Sequence, residues 1–157
     1  MSIRKAGQED LKYFLEHGMC LKELEESFGF KGYLASEKEF IKEYSRFLVL
    51  AYSNGIYRFY VAEEDEAGVV GTCISAVEPT ETFYRYDLIG RILFIWVEPE
   101  YRESGVAKSM VEAAEEDLVA DGIRVIYATI NQWNSTPQFK LLHHGYTYQF
   151  VQLFREL

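Results

Sequence analysis

The feature that most constrains this chain is an apolar run that ends in a turn and leads directly into a helix. The run RILFIWV (91–97) is apolar on both faces, so we expect it to lie in the interior of a sheet. The turn EPEYRESG (98–105) follows, and the pattern after it predicts a helix over residues 104–120. A second buried strand, RVIYATI (124–130), comes next. Together these elements predict a right-handed parallel crossover.

The rest of the sequence predicts one α/β domain over residues 1–157, because no repeat, low-complexity tract or linker divides it. The other predicted elements are a strand at 1–6, a helix at 8–28, a helix from the capping box Ser36/Glu39 to Asn54-Gly55, an antiparallel hairpin at 56–77 closed by Pro79, an aromatic connector at 80–90, a short helix at 134–144 and a last strand at 146–154. The order is β-α-α-β-β-β-α-β-α-β, which indicates a central mixed sheet with helices on both faces.

Charge and cysteine content exclude several classes of protein. The net charge of −9 leaves no basic face for nucleic acid and suits a cationic substrate better. The two cysteines, Cys20 and Cys73, match no metal or redox spacing, so we expect no metal site. The sequence shows no signal peptide and no apolar run near eighteen residues, so we expect a cytoplasmic protein with reduced thiols and no membrane contact.

The predicted helix at 104–120 begins with the features of an anion site. Its first N–H groups lack intrahelical acceptors, and the positive end of the helix dipole lies beside them. Gly105 permits close approach to the backbone, Ala107 keeps the first turn narrow, and Arg102 and Lys108 add positive charge. These features predict a phosphate or pyrophosphate site. The alternative that these residues alone leave open is a tight turn with solvated charges.

The same stretch resembles the acyl-CoA-binding signature of the GNAT superfamily of N-acetyltransferases, in which a strand ends in V-x-P-x-[YF]-R and [QR]-x-x-G-x-[GA] begins a helix. The matching residues are Val97, Pro99, Tyr101, Arg102, Gly105 and Ala107. Further on, NSTPQFKLLHHGY resembles the family segment N-x-x-A-x-x-L-Y-x-x-x-G-[FY] at Asn134, Gly145 and Tyr146. The element order extends the resemblance over nearly the whole chain.

The resemblance implies acetyl-CoA (coenzyme A) as the cofactor. The strands at 91–97 and 124–130 would diverge at their C-terminal ends, and the pantetheine arm would lie between them like an added strand. The implied cofactor-binding residues are Ile95, Trp96 and Val97 through their main chain, Arg102, Asn134, and the loop residues Glu103, Ser104, Gly105, Val106, Ala107 and Lys108 around the diphosphate.

The resemblance also implies the reaction, which is direct acyl transfer from acetyl-CoA to an amine of a small molecule or a protein, without a covalent enzyme intermediate. The main-chain N–H of Val97 is the candidate catalytic group for the oxyanion. The positions of the usual tyrosine and glutamate hold Leu141 and Thr129, which cannot transfer protons. We therefore take His144, on the helix face of Leu141, as a candidate catalytic residue. Glu78 remains an alternative, as a group that could activate a water molecule.

These substitutions keep a second hypothesis open, a catalytically weak or inactive GNAT-fold module that binds acyl-CoA or a partner. An unrelated nucleotide-binding protein would need a phosphate loop after the first strand, and the sequence has none there. The resemblance places the acceptor opposite the cofactor, bounded by the first two helices, the loop at 28–33 and the connector at 80–90. A homodimer also stays open, because dimers are common in the family.

Overall fold

The computed structural model describes residues 1–30, 35–81, 85–130 and 140–148. The strands are β1 (Ser2–Lys5), β2 (Tyr57–Glu64), β3 (Gly68–Pro79), β4 (Leu88–Val97) and β5 (Ile126–Ala128), and the helices are α1 (Leu11–Glu25), α2 (Glu37–Asn54) and α3 (Val106–Ala120). Short 3-10 segments at Gln8–Asp10 and Pro99–Tyr101 precede α1 and α3.

The five described strands form one mixed sheet in the order β1-β2-β3-β4-β5. The first three pairs are antiparallel, whereas β4 and β5 are parallel. This arrangement confirms the predicted fold class, including the antiparallel hairpin and the parallel crossover through α3. The antiparallel alternation therefore ends at β4, the strand that precedes the predicted phosphate loop.

Each face of the sheet has its own apolar core. One core lies under α3 and includes Met110, Ala114 and Leu118 of the helix. The other joins the sheet to α1 and α2 through Phe14 and Leu48. Gly90 lets α3 approach β4 closely, because a Cβ at that position would lie 2.8 Å from Cδ1 of Leu118. The prediction of helices on both faces is confirmed.

The ends of α2 are the ones that its sequence predicts. The hydroxyl oxygen of Ser36 accepts a hydrogen bond from the Glu39 N–H at 3.4 Å, and the Glu39 carboxylate accepts one from the Ser36 hydroxyl. At the other end, Gly55 adopts a left-handed conformation with φ of 71°. In contrast, α1 passes into a π-helical turn at Glu26–Phe30, which its periodicity did not predict.

The structure changes the predicted bounds near the connector. The β3–β4 hairpin extends to the pair Pro79↔Leu88, and the Thr80 N–H donates to the Asp87 carbonyl at 2.9 Å. The connector is therefore shorter than predicted, because its ends pair as strand. Residues 140–143 are helical, and residues 146–148 are not in a strand. The rest of the predicted last helix and strand lies outside the described residues.

None of the helices in the described part of the chain has the length and apolar character needed to cross a membrane.

Candidate active site

The strands β4 and β5 separate after a short paired stretch and form a fork. Pairing covers Gly90↔Ile126, Arg91↔Tyr127 and Ile92↔Ala128, where β5 ends. Beyond Ile92, β4 continues for five residues to Val97, a length of about 16 Å at the usual rise of a strand. The edge of β4 along this stretch has no strand partner among the described residues. The end of pairing after Ile92 is in line with the divergence that the resemblance to the GNAT family implies.

A β-bulge in β4 decides which main-chain groups face the fork. On β3, Ile74 pairs with Phe94 and Ser75 with Ile92, so Leu93 is the extra residue. Before the bulge, the Gly90 N–H donates to the Val125 carbonyl at 2.9 Å, toward the β5 side. Since main-chain groups alternate along a strand, the extra residue at Leu93 reverses which residues face β5 after it.

After the bulge, Ile95 and Val97 are the residues whose main chain faces the fork. The Glu98 N–H donates to the Val70 carbonyl at 3.0 Å, toward β3, and Trp96 has the same orientation by alternation. The carbonyl of Val97 accepts a hydrogen bond from Nε of Arg102 at 2.9 Å, away from β3. This alternation favours Ile95 and Val97 over Trp96 as main-chain partners of an added strand.

Arg102 lies at the open end of the fork, beside Val97. In addition to its bond to Val97, its guanidinium carbon lies 4.9 Å from the centre of the Trp96 ring. The indole Nε1 of Trp96 is buried and has no hydrogen-bond partner among the described residues. Arg102 therefore links the turn before α3 to the end of β4 and adds positive charge there.

The loop before α3 has the backbone expected of an anion site. Glu103 has a φ of 66°, uncommon for a residue with a side chain, and Gly105 has a φ of 92°. A Cβ built on Gly105 would meet no described atom within 4 Å. The Ser109 N–H donates to the Gly105 carbonyl at 3.0 Å and is the first donor of the helix, so the N–H groups of residues 106–108 come before it and lack an intrahelical acceptor.

The other loop residues support the same geometry. The Ser104 hydroxyl donates to the Tyr101 carbonyl at 2.6 Å, and Val106 is buried against the sheet. Ala107 packs at the margin of the α3 core. Lys108 is exposed, with Nζ 3.6 Å from the Glu112 carboxylate. The open side of this loop thus carries main-chain N–H groups and one exposed ammonium group.

The structure brings together three polar side chains that the sequence analysis did not connect. His17 of α1 is 2% exposed, and its Nδ1 lies 2.8 Å from Oγ1 of Thr72, which is itself fully buried. Its Nε2 lies 2.9 Å from Oε1 of Glu98, the residue after β4. The Glu98 side chain is 38% exposed while bonded to His17. A single histidine within a helical apolar pattern was the only sequence signal for this cluster.

The partners of His17 determine its tautomer. The Glu98 carboxylate only accepts hydrogen bonds, so neutral His17 carries its hydrogen on Nε2 and accepts from the Thr72 hydroxyl at Nδ1. Burial lowers the pKa of His17, although the bond to Glu98 acts in the opposite direction. The cluster therefore joins α1 and β3 to the start of the predicted phosphate loop through a neutral imidazole.

His144 is held against α3. Its Nε2 lies 3.0 Å from Oε2 of Glu115, and the Tyr146 hydroxyl donates to Oε1 of the same carboxylate at 2.6 Å. Burial, with the bond to Glu115, raises the pKa of Tyr146. Leu141 lies in the same helical segment and contributes its carbonyl to the Tyr146 N–H. Only Nδ1 of His144 is left to act in proton transfer.

The remaining predicted features differ in how far the structure describes them. Glu78 is not simply solvated, because its Oε2 accepts a hydrogen bond from Nε of Arg91 at 2.8 Å. Asn134, the loop residues 31–34 and the connector residues 82–84 lie outside the described residues. In the described part of the chain, no group of three or more His, Cys, Asp or Glu side chains is arranged to hold a metal ion.

Comparison with protein families identifies the domain. The model of the acetyltransferase (GNAT) family matches residues 19–146, which is most of the chain. The chain belongs to the GNAT acetyltransferase family. Comparison of this GNAT chain with curated protein sequences finds no match.

Solved structures agree with the GNAT fold. A tetramutant of the protein BH1408 from Bacillus halodurans is similar over 100% of both chains, with 14% identity and a TM-score of 0.83. The aminoglycoside N-acetyltransferase AAC(6')-Iy in complex with CoA is similar over 99% of each chain, with 14% identity and a TM-score of 0.73. A predicted acetyltransferase from Clostridium acetobutylicum with acetyl-CoA is similar over 99% of this chain and 94% of that one, with 19% identity and a TM-score of 0.73.

Proposed function

We propose that this GNAT protein is an N-acetyltransferase that uses acetyl-CoA and transfers the acetyl group directly to an amine. The observation that carries the proposal is the fork between β4 and β5, which leads to a loop where Gly105 borders open space and the N–H groups of residues 106–108 lack intrahelical acceptors. An extended pantetheine arm fits an unpaired strand edge, and a diphosphate fits a helix N-terminus. The buried, unpaired Nε1 of Trp96 beside the fork also fits a site that takes a polar ligand.

The residues of this chain would divide the work as follows. The N–H groups of residues 103–108 and the charges of Arg102 and Lys108 would bind the diphosphate. Ile95 and Val97 would bind the pantetheine arm through their main chain, and Asn134 would be a further contact to the cofactor. Of the two N–H groups that face the fork, that of Val97 lies beside the loop and that of Ile95 lies nearer the point where the strands part, so the Ile95 N–H would stabilise the developing oxyanion. His144 would supply a proton to the leaving thiolate through Nδ1, with Glu115 holding the ring.

The acceptor is proposed to be a cationic amine. The chain carries a net charge of −9, which favours the approach of cations. Several similar structures are aminoglycoside N-acetyltransferases by name, including AAC(6')-Iy and AAC(6')-Ih from Acinetobacter baumannii. An aminoglycoside and a linear polyamine are therefore the first acceptors to test, followed by a peptide N-terminus.

The second candidate function is a module that binds acyl-CoA and transfers little. It is favoured by Leu141 and Thr129, which stand where the family commonly has a tyrosine and a glutamate. Thiol release from acetyl-CoA upon addition of each amine distinguishes the two functions. Sustained release with at least one amine supports the enzyme, whereas a thermal shift with CoA and no release with any amine supports the module.

A further inference from the structure

At the base of the fork, where β4 and β5 part, one guanidinium bonds to both a carboxylate and a hydroxyl. Nε of Arg91 donates to Oε2 of Glu78 at 2.8 Å, and Nη1 of Arg91 donates to Oγ1 of Thr129 at 3.3 Å. Arg91 pairs with Tyr127 in the last paired stretch of β4 and β5, and Thr129 is the first residue after β5. The guanidinium therefore crosses the point at which the two strands part.

The three side chains lie on the face of the sheet that carries α1 and α2. Gly90 and Ile92 face α3, since a Cβ on Gly90 would contact Leu118 and Ile92 belongs to the α3 core. Side chains alternate along a strand, so Arg91 points to the opposite face. Ala76 of β3 pairs with Arg91, so the two side chains share a face. Glu78 is two positions after Ala76 on β3 and therefore points to that same face. The face is the one predicted to bind the acceptor.

Glu78 is partly accessible and only partly engaged. Its side chain is 33% exposed, and its position at the end of β3 lies directly before the connector at residues 80–87. Arg91 bonds to Oε2, and the hydrogen bonds of the described residues leave Oε1 without a partner. A carboxylate oxygen in this position can bind the ammonium group of an acceptor at the base of the fork.

We infer that Glu78 is a catalytic residue that binds the acceptor ammonium and removes its proton, and that Arg91 is a positioning residue which holds Glu78 at the fork. This inference rests on the proposed acetyltransferase function. The ammonium gives one proton to Glu78, and the neutral nitrogen forms a C–N bond to the thioester carbon while the C–S bond breaks. Nδ1 of His144 takes the second proton of the nitrogen and passes it to the thiolate, which yields the amide and free CoA thiol, and Glu78 returns its proton to solvent.

With Glu78 as the base, this chain can deprotonate the acceptor although position 129 holds a threonine. The Thr129 hydroxyl is too weak a base to take a proton from an ammonium group, but it accepts a hydrogen bond from Arg91 and so helps to orient the guanidinium toward Glu78. The base thus comes from β3 instead of from the end of β5. Since the charge of the Glu78–Arg91 pair sums to zero, an incoming ammonium meets no net positive charge at the base of the fork.

The test compares Glu78→Gln with wild type and with Glu66→Gln, a matched loss of charge at the exposed tip of the β2–β3 hairpin. Acetyl-CoA with a linear polyamine or an aminoglycoside is the probe, and thiol release is measured from pH 6 to 9. Glu78→Gln should lower kcat/KM by about 100-fold or more near neutral pH, in the usual range for loss of a general base, while Glu66→Gln has no effect.

The pH profile separates a catalytic role from a structural one. Without Glu78, only acceptor that is already neutral in solution can react, so kcat/KM of Glu78→Gln should rise about tenfold per pH unit below the pKa of the amine. The kcat/KM of the wild-type protein should depend on pH much less steeply. Arg91→Lys should lower kcat and leave the shape of the profile unchanged, because it keeps the charge beside Glu78 and loses the guanidinium geometry.

The possible results are distinct. If Glu78→Gln retains kcat/KM within about threefold of wild type and has the same profile, the inference is overturned although the acetyltransferase function stands. If wild type binds CoA and transfers to none of the amines, the catalytic inference fails and the binding module is favoured. If wild type does not bind CoA, the proposed function itself fails. If Glu78→Gln does not fold, Glu78→Asp takes its place in the test. A lower kcat with the pH profile of the wild type supports the inference, and an unchanged kcat opposes it.

Discussion

Nε2 of His17 lies 2.9 Å from Oε1 of Glu98, and this contact joins the first helix to the residue that follows β4. The other ring nitrogen contacts Thr72 on β3, so one buried imidazole links three elements. Glu98 in turn begins the turn that leads to Gly105. The shape of the proposed phosphate loop therefore depends on a side chain from the opposite face of the sheet.

Replacing His17 by leucine should destabilise the protein by about 1–3 kcal/mol, because it leaves the fully buried Thr72 hydroxyl without a partner. The double variant His17→Leu/Thr72→Val should recover about 1 kcal/mol of this loss, since both polar groups are then gone. Urea unfolding measures both effects. A double variant no more stable than His17→Leu would show that the hydroxyl is satisfied in another way.

The lowered pKa of His17 predicts a dependence of stability on pH. In the unfolded chain His17 gains a proton near pH 6.5, whereas in the folded protein it stays neutral to lower pH. The contribution of His17 to the free energy of unfolding should therefore be constant above pH 6.5. It should fall as the pH decreases from 6.5 to the lowered pKa of the folded protein, by at most about 1.4 kcal/mol per pH unit. The difference between wild type and His17→Leu, followed by urea unfolding from pH 7.5 to 5, isolates this group. A difference that does not change with pH contradicts the prediction.

Gly105→Glu should abolish most of the CoA affinity, since it puts a negative side chain in the open space at the head of α3. Gly122 is a matched control at the other end of the helix, with a φ of 83° and the same open surroundings. Both substitutions force a side chain into a left-handed conformation, which costs about 1–3 kcal/mol. Only Gly105→Glu should weaken CoA binding, by about 100-fold or more, as judged by calorimetry. Equal CoA affinity in the two variants would mean that the diphosphate binds elsewhere.

Leu141→Tyr should leave CoA binding unchanged and raise turnover, because it places a phenol where the family commonly has a proton donor for the thiolate. Leu141 is partly buried in the helical segment 140–143, so the larger ring must be accommodated there. Thiol release with the best amine acceptor measures the gain, and CoA titration serves as the control. A loss of CoA affinity would indicate that this segment is aligned incorrectly with the family.

The sequence predicted the elements that local patterns define. The capping box at Ser36, the stop at Gly55 and the turn into α3 at Gly105 each depend on a few neighbouring residues, and each lies where it was predicted. The order of elements and the family motif then placed the parallel crossover. These features could be predicted because each is decided within one or two turns of the chain.

The sequence could not predict contacts between distant residues. His17 and Glu98 are 81 positions apart, and nothing in either local pattern points to the other. The bulge at Leu93 depends on the register with β3, which an apolar run on both faces does not specify. Arg91 and Glu78 meet for the same reason, since their contact follows from the pairing of β3 with β4.

The most direct test of the account is isothermal titration of the folded wild-type protein with CoA, with Gly105→Glu and Gly122→Glu titrated in parallel. We expect one binding site per chain, with a Kd in the micromolar range, or a binding free energy of about −8 kcal/mol. Gly122→Glu should keep this affinity, and Gly105→Glu should lose it. No heat of binding at millimolar CoA, from wild-type protein that unfolds cooperatively, would contradict the account.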